Sequence, residues 1–415
     1  MTTGSVVELS LSEHGLTGGP GVVSEHMPDA HSVSVGVWVG VGGRDEAPAL
    51  AGASHFLEHL LFKGTEDRSA RAIAELVDAS GGEMNAFTAK EYTAYYARLP
   101  VGGQATAVAL LADVLREPAL RAADVETERQ VILEEIHLAA DDPDDVVFDL
   151  LYEALFPDHP LGREVLGSVE SVDALGRDDI AGFHDYWYRA PNLVVAAAGA
   201  VDHEALVAQV GEAFAGRTGG EAPERMSPES EPVPARHMTR PTEAAHVAWG
   251  WRGPDRVDPR RHALAIGVHV LGGGLSSRLF QTVREERGLA YSVFSSMAAY
   301  SDAGVVSVYA GTAPERADEL KSVVAHEVGE VAANGITEAE LAIAREGFEG
   351  SLLLGLEGSG SRMSRLGTSQ SLLGRVVPLE EYIEILRAVT LDQVNTVLAD
   401  VLTPEATVAE VGPAT

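Results

Sequence analysis

Residues 53–65 read ASHFLEHLLFKGT, which sets His55, Glu58 and His59 in an apolar run closed by Gly64. The spacing of Phe56, Leu57, Leu60 and Leu61 predicts a helix over about 53–63 that stops at the glycine. In such a helix His55 and His59 stand one turn apart on one face. Two imidazoles so placed can hold one metal ion, and Glu58 reaches the edge of the same site. A catalytic zinc takes three protein ligands and keeps one position open. A neighbouring carboxylate can then accept a proton from water. The H-x-x-E-H order supplies two ligands and a base, the inverse of the commoner H-E-x-x-H. Placing two histidines and a glutamate in a core helix without such a use would cost roughly several kcal/mol in desolvation.

Outward from the motif, SVSVGVWVGV at 32–41 alternates Val or Trp with small residues, the pattern of a strand with one buried face. A second helix over 69–79 is expected to stop at Gly81-Gly82. Residues 83–88 and 92–99, rich in Thr and Tyr, read as a β-hairpin. Two long helical patterns follow at 103–116 and 122–140, separated by Pro118. Strands and helices mix without regular βαβ alternation. The expected class is α+β, with helices packed on a largely antiparallel sheet. A third metal ligand cannot be cysteine, because the chain has none. The 122–140 helix offers Glu128, Glu134 and Glu135. Glu128 and Glu135 share a face two turns apart, and Ile132 and Leu138 near that face predict that it packs inward. Glu134 points about 100° away. The periodicity leans toward Glu135 without separating it from the others.

The chain has 415 residues, too many for one ordinary core, so two domains are expected. Residues 219–236, GGEAPERMSPESEPVPAR, hold almost no large apolar side chain and read as a linker between 1–218 and 237–415. The two halves resemble distant copies. Helical patterns opening near 179 and 392 are followed by Pro191 and Pro404, then by short apolar strands closed by Gly199 and Gly412. No apolar run of about 18 residues occurs, so no membrane span is expected. Residues 1–15 have no basic-then-apolar leader pattern, and a cytoplasmic location is expected. Thirty basic against 63 acidic residues give a net charge of −33, a field that disfavours nucleic acid and anionic membranes. The glycines 272–274 lack the lysine of a phosphate loop and are read as permitting a tight strand-to-helix turn. His262 and His269 have no acidic partner at ligand spacing and are read as structural.

Residues 53–65, Gly81-Gly82, NAFTAKEYTAYYA (85–97), ERQVILEEI (128–136) and, in the second half, LGGGLSSRLFQTVREERGLAYSV (271–293) together resemble the pitrilysin/insulinase family of zinc peptidases. The likeness is greatest to the mitochondrial-processing-peptidase branch and its bacterial relatives, and it spans essentially the whole chain. It implies one Zn2+ per chain on His55, His59 and Glu135, with Glu58 as general base. It places Glu128 behind the ligands as a support. It implies that Asn85, Ala86 and Phe87 bind the substrate on an edge strand, by backbone pairing with an extended peptide. Arg284 and Tyr291 fall on the family's second-domain residues that reach the peptide or the oxyanion. The second half lacks H-x-x-E-H and is expected to wall a closed chamber. A homodimer, or a heterodimer with a related subunit, is implied, and so is endopeptidase activity on peptides or unfolded segments. The competing expectation is a non-catalytic partner subunit of the same fold, against which the complete set of ligands and base argues.

Overall fold

The computed structural model describes residues 10–216 and 218–414. Two mixed sheets organise them. In the first, β1 (Ser10–Gly15), β2 (Gly21–His26), β3 (Ser32–Val39), β4 (Glu83–Thr88), β5 (Thr93–Pro100) and β6 (Leu193–Gly199) lie in the order β1-β2-β6-β3-β5-β4. In the second, β7 (Ala235–Thr239), β8 (Ala245–Gly253), β9 (Ala290–Ala299), β10 (Gly304–Thr312) and β11 (Thr407–Gly412) lie in the order β7-β11-β8-β10-β9. Each sheet has one parallel pair, β2 with β6 and β7 with β11, and is otherwise antiparallel. Without β1 the two orders are identical, as expected of duplicated halves. The class is α+β.

The compact units are not contiguous in sequence. One comprises 1–136, 164–224 and 353–378, the other 137–163, 225–352 and 379–415. The segment 219–234 carries no helix or strand, and β7 begins at Ala235. In the first unit the main core lies between one face of the sheet and the helices Ala53–Leu61, Gln104–Arg116, Arg177–Trp187 and His203–Ala213. Val33, Val35, Val37 and Val39 of β3 point into it.

The expectation of one buried face for β3 needs correcting: Val33 to Val39 are all buried. The second face, with Ser34, Gly36 and Trp38, is covered by the helix Ser359–Leu373, whose Met363 and Leu366 join Trp38 in a small core. Ser34 Oγ and Ser359 Oγ are 2.9 Å apart. Small residues on that face make room for a helix and one large ring, so side-chain size alternates along β3 while exposure does not. The glycines 272–274 also differ from expectation. They close the helix Arg260–Gly272 rather than joining a strand to a helix. A Cβ on Gly272 would lie 2.6 Å from the Ser295 backbone nitrogen, so close approach to β9 explains glycine there. Among the described residues no helix is long and apolar enough to cross a membrane.

Candidate metal centre

The helix Ala53–Leu61 begins at Gly52, whose φ of 92° a side chain would rarely adopt. Glu46, buried, takes the Gly52 N–H on Oε2 and the Ser54 N–H on Oε1, both at 2.7 Å. A carboxylate is thus fixed at the helix's positive end, which anchors the motif's first turn. Phe56, Leu57, Leu60 and Leu61 are buried, which turns His55, Glu58 and His59 to the other side.

The long helix Ala122–Asp141 crosses beside it. Arg129, also buried, donates to the carbonyl oxygens of Val172 and Leu175, and its guanidinium lies 5.6 Å from the centre of the Phe56 ring. That contact fixes the second helix against the first. Oε2 of Glu135 then stands 3.6 Å from His55 Nε2 and 3.4 Å from His59 Nε2. Among the described residues these three form the one group of histidine and acidic side chains able to hold a metal ion, with ligand atoms within 4.8 Å of one another. Glu134 is exposed and outside the group. The inward-facing expectation for Leu138 is corrected: Ile132 is buried, but Leu138 is 68% exposed, because the helix has run past the core by its last turns.

The donor set fits zinc: two imidazole nitrogens and one carboxylate oxygen. The orientation fits as well. His59 Nδ1 donates to Glu128 Oε2 at 3.2 Å, which leaves the Nε2 lone pair facing Glu135. Glu128 is 3% exposed, and its Oε1 is 2.6 Å from Lys63 Nζ. The buried carboxylate is therefore paired on both oxygens. Burial, with His59 beside it, holds the His55 imidazole down at about 4, so it is neutral and able to ligate near pH 7.

Glu58 lies half-buried in the same turn. Burial pushes its carboxyl up from the usual range, against the pull of a hydrogen bond from Thr88 Oγ1 (2.5 Å) and of nearby His59, while Glu135 adds to the rise. An elevated carboxylate beside a metal group is the electrostatic setting of a general base. Thr88, Glu46 and Lys63 were missed by sequence reasoning. The only local signals were the NAFT run ending at Thr88 and the lysine one turn after His59.

Asn85, Ala86 and Phe87 lie on β4, which among the described residues pairs only with β5 and so forms one edge of the first sheet. Asn85 and Phe87 are exposed, and Asn85 Oδ1 accepts the Ala86 N–H at 2.8 Å. Met84, Ala86 and Thr88 alternate to the opposite, more buried face. In the second unit the Arg284 guanidinium lies 4.5 Å from the Tyr291 ring centre and 4.8 Å from that of Phe280. Tyr291 is 82% exposed, which rules out a core role for it.

Comparison with known proteins agrees with this geometry. The profile of the insulinase family (peptidase family M16) matches residues 21–169, and that of the peptidase M16 inactive domain matches 174–348. A protein of Mycobacterium tuberculosis named as a zinc protease is 48% identical over 403 residues, 96% of this chain and 92% of the relative. Proteins of the same designation from Streptomyces coelicolor and Bacillus subtilis are 43% and 38% identical, over 96% and 94% of this chain and 88% and 96% of theirs. A protease from Helicobacter pylori has the same fold, with a TM-score of 0.91 at 21% identity over 98% of this chain and 100% of that one. With both halves matched in order, and relatives of such identity over nearly their whole length, the chain belongs to the insulinase family of peptidases, family M16.

Proposed function

We propose that the protein is a zinc-dependent endopeptidase that cleaves extended peptide segments, with Glu58 as its general base. The observation that carries this reading is the convergence of His55, His59 and Glu135 within 4.8 Å, with Glu58 one residue from His59 on the same helix. The naming of close relatives as zinc proteases supports it. His55, His59 and Glu135 would hold the ion, and zinc supplies Lewis acidity toward water and the scissile carbonyl. Glu58 accepts the proton of the attacking water and later delivers it to the leaving amine. Its raised proton affinity suits both transfers. Glu128 and Lys63 hold His59 in its ligating tautomer. The open edge of β4 around Asn85, Ala86 and Phe87 offers backbone groups to a peptide in extended form.

Treatment with a chelator should abolish digestion of a mixed peptide library, and zinc should restore it. Digestion that proceeds unchanged without metal would rule the reading out. We assign Arg284 and Tyr291 to the same reaction, on their place in the family pattern and on the exposure of the pair. Tyr291→Phe should lower kcat with little change in KM, zinc content or stability. An unchanged kcat would remove the hydroxyl from the reaction.

A further inference from the structure

We infer that Thr88 is a positioning residue for Glu58, holding one carboxylate oxygen so that the other is aimed at the attacking water; the inference rests on the peptidase reading above. Thr88 Oγ1 donates to Glu58 Oε2 at 2.5 Å. Glu58 Oε1 makes no hydrogen bond among the described residues and is not sealed from solvent. The two oxygens of the base are therefore inequivalent, one tethered and one available. A glutamate carries several rotatable bonds, and a single charge-assisted hydrogen bond to a stiff donor removes much of that freedom. Thr88 is such a donor, because its β-branched side chain has few rotamers.

Its backbone is also fixed. Thr88 ends β4 opposite Thr93, and Thr93 Oγ1 donates to the Val41 carbonyl oxygen at 3.1 Å. Just beyond, the Ala89 N–H donates to Tyr92 O at 2.8 Å. The Gly43 and Arg44 N–H groups donate to Ala89 O and Lys90 O, at 3.2 and 2.8 Å. The hairpin tip is thereby tied to the turn that leads into the motif helix. On the same face of β4, Met84 and Ala86 pack against the core, whereas the third position carries a hydroxyl. Among the described residues the hydrogen bond of that hydroxyl is to the base. The strand that offers its edge to the peptide is thus the strand that holds the base. Register between the scissile bond and Glu58 is set within one element.

Thr88→Val removes the donor and keeps the shape. It should lower kcat about 10- to 100-fold, the scale of a misaimed catalytic group, with KM within about twofold of wild type. Zinc content and the denaturation midpoint should stay at wild-type values, and Thr88→Ser should recover most of the lost kcat. Wild-type turnover by Thr88→Val, in a preparation where Glu58→Gln is inactive, overturns the inference and leaves the peptidase reading standing. Loss of zinc or of stability in both Thr88→Val and Thr88→Ser overturns it in favour of a structural role. Full turnover by Glu58→Gln removes the base itself, and the inference falls with the reading it rests on.

Discussion

At the residue scale the centre is set by a few pairwise contacts that orient its carboxylates and the His59 ring. Glu135 faces both imidazoles, Glu128 faces His59 and Lys63, and Glu58 faces Thr88. Neighbouring glutamates on one helix therefore have different surroundings. Glu135→Gln should weaken zinc binding about 10- to 100-fold or more, whereas Glu134→Gln should leave it unchanged, since the exposed Glu134 meets no ligand. Zinc titration against a competing chelator reads both. A loss confined to the Glu134 variant would contradict the observed helix phase. The H-x-x-E-H face was legible in sequence, because a four-residue spacing fixes one helical face locally. Periodicity alone does not single out the carboxylate that joins the two histidines, because helix phase says which residues share a face but not how far the neighbouring core extends along it. Ile132 lies on the covered part and Leu138 beyond it. Thr88 was illegible for a different reason: its partner is 30 residues away, and a cross-element hydrogen bond leaves no periodic trace.

At the element scale, the motif helix is positioned by a buried carboxylate at its start and by packing of its apolar side on the first sheet. The other side of that sheet depends on the helix Ser359–Leu373, drawn from far along the chain. Local reading predicted β3, the hairpin and the long helices to within a few residues, because periodicity and turn glycines are local signals. It did not predict that residues 353–378 join the first compact unit and 137–163 the second, because no local pattern encodes such an exchange. Gly367 marks the contact. A Cβ there would lie 2.2 Å from the Trp38 ring, which is fully buried. Gly367→Ala should therefore destabilise the protein by about 1–3 kcal/mol through overpacking. Urea denaturation would read this as a lower midpoint with little change in slope, and an unchanged midpoint would contradict the tight contact.

Across the whole molecule, one strand order occurs twice, and only the first copy carries the H-x-x-E-H helix. The helix at the corresponding place after β8, Arg260–Gly272, has His262 and His269, and neither joins a metal-binding group among the described residues. Duplication thus accounts for the length and the paired sheets, while the group able to hold a metal lies in the first unit. Zinc content and peptide cleavage, measured side by side in wild type and Glu58→Gln, test whether this centre cleaves peptides with Glu58 as base. About one zinc per chain is expected in both proteins, with cleavage lowered by at least ~10²-fold in the variant. Near-normal cleavage by Glu58→Gln, or a wild-type enzyme that cleaves without zinc, would contradict this expectation.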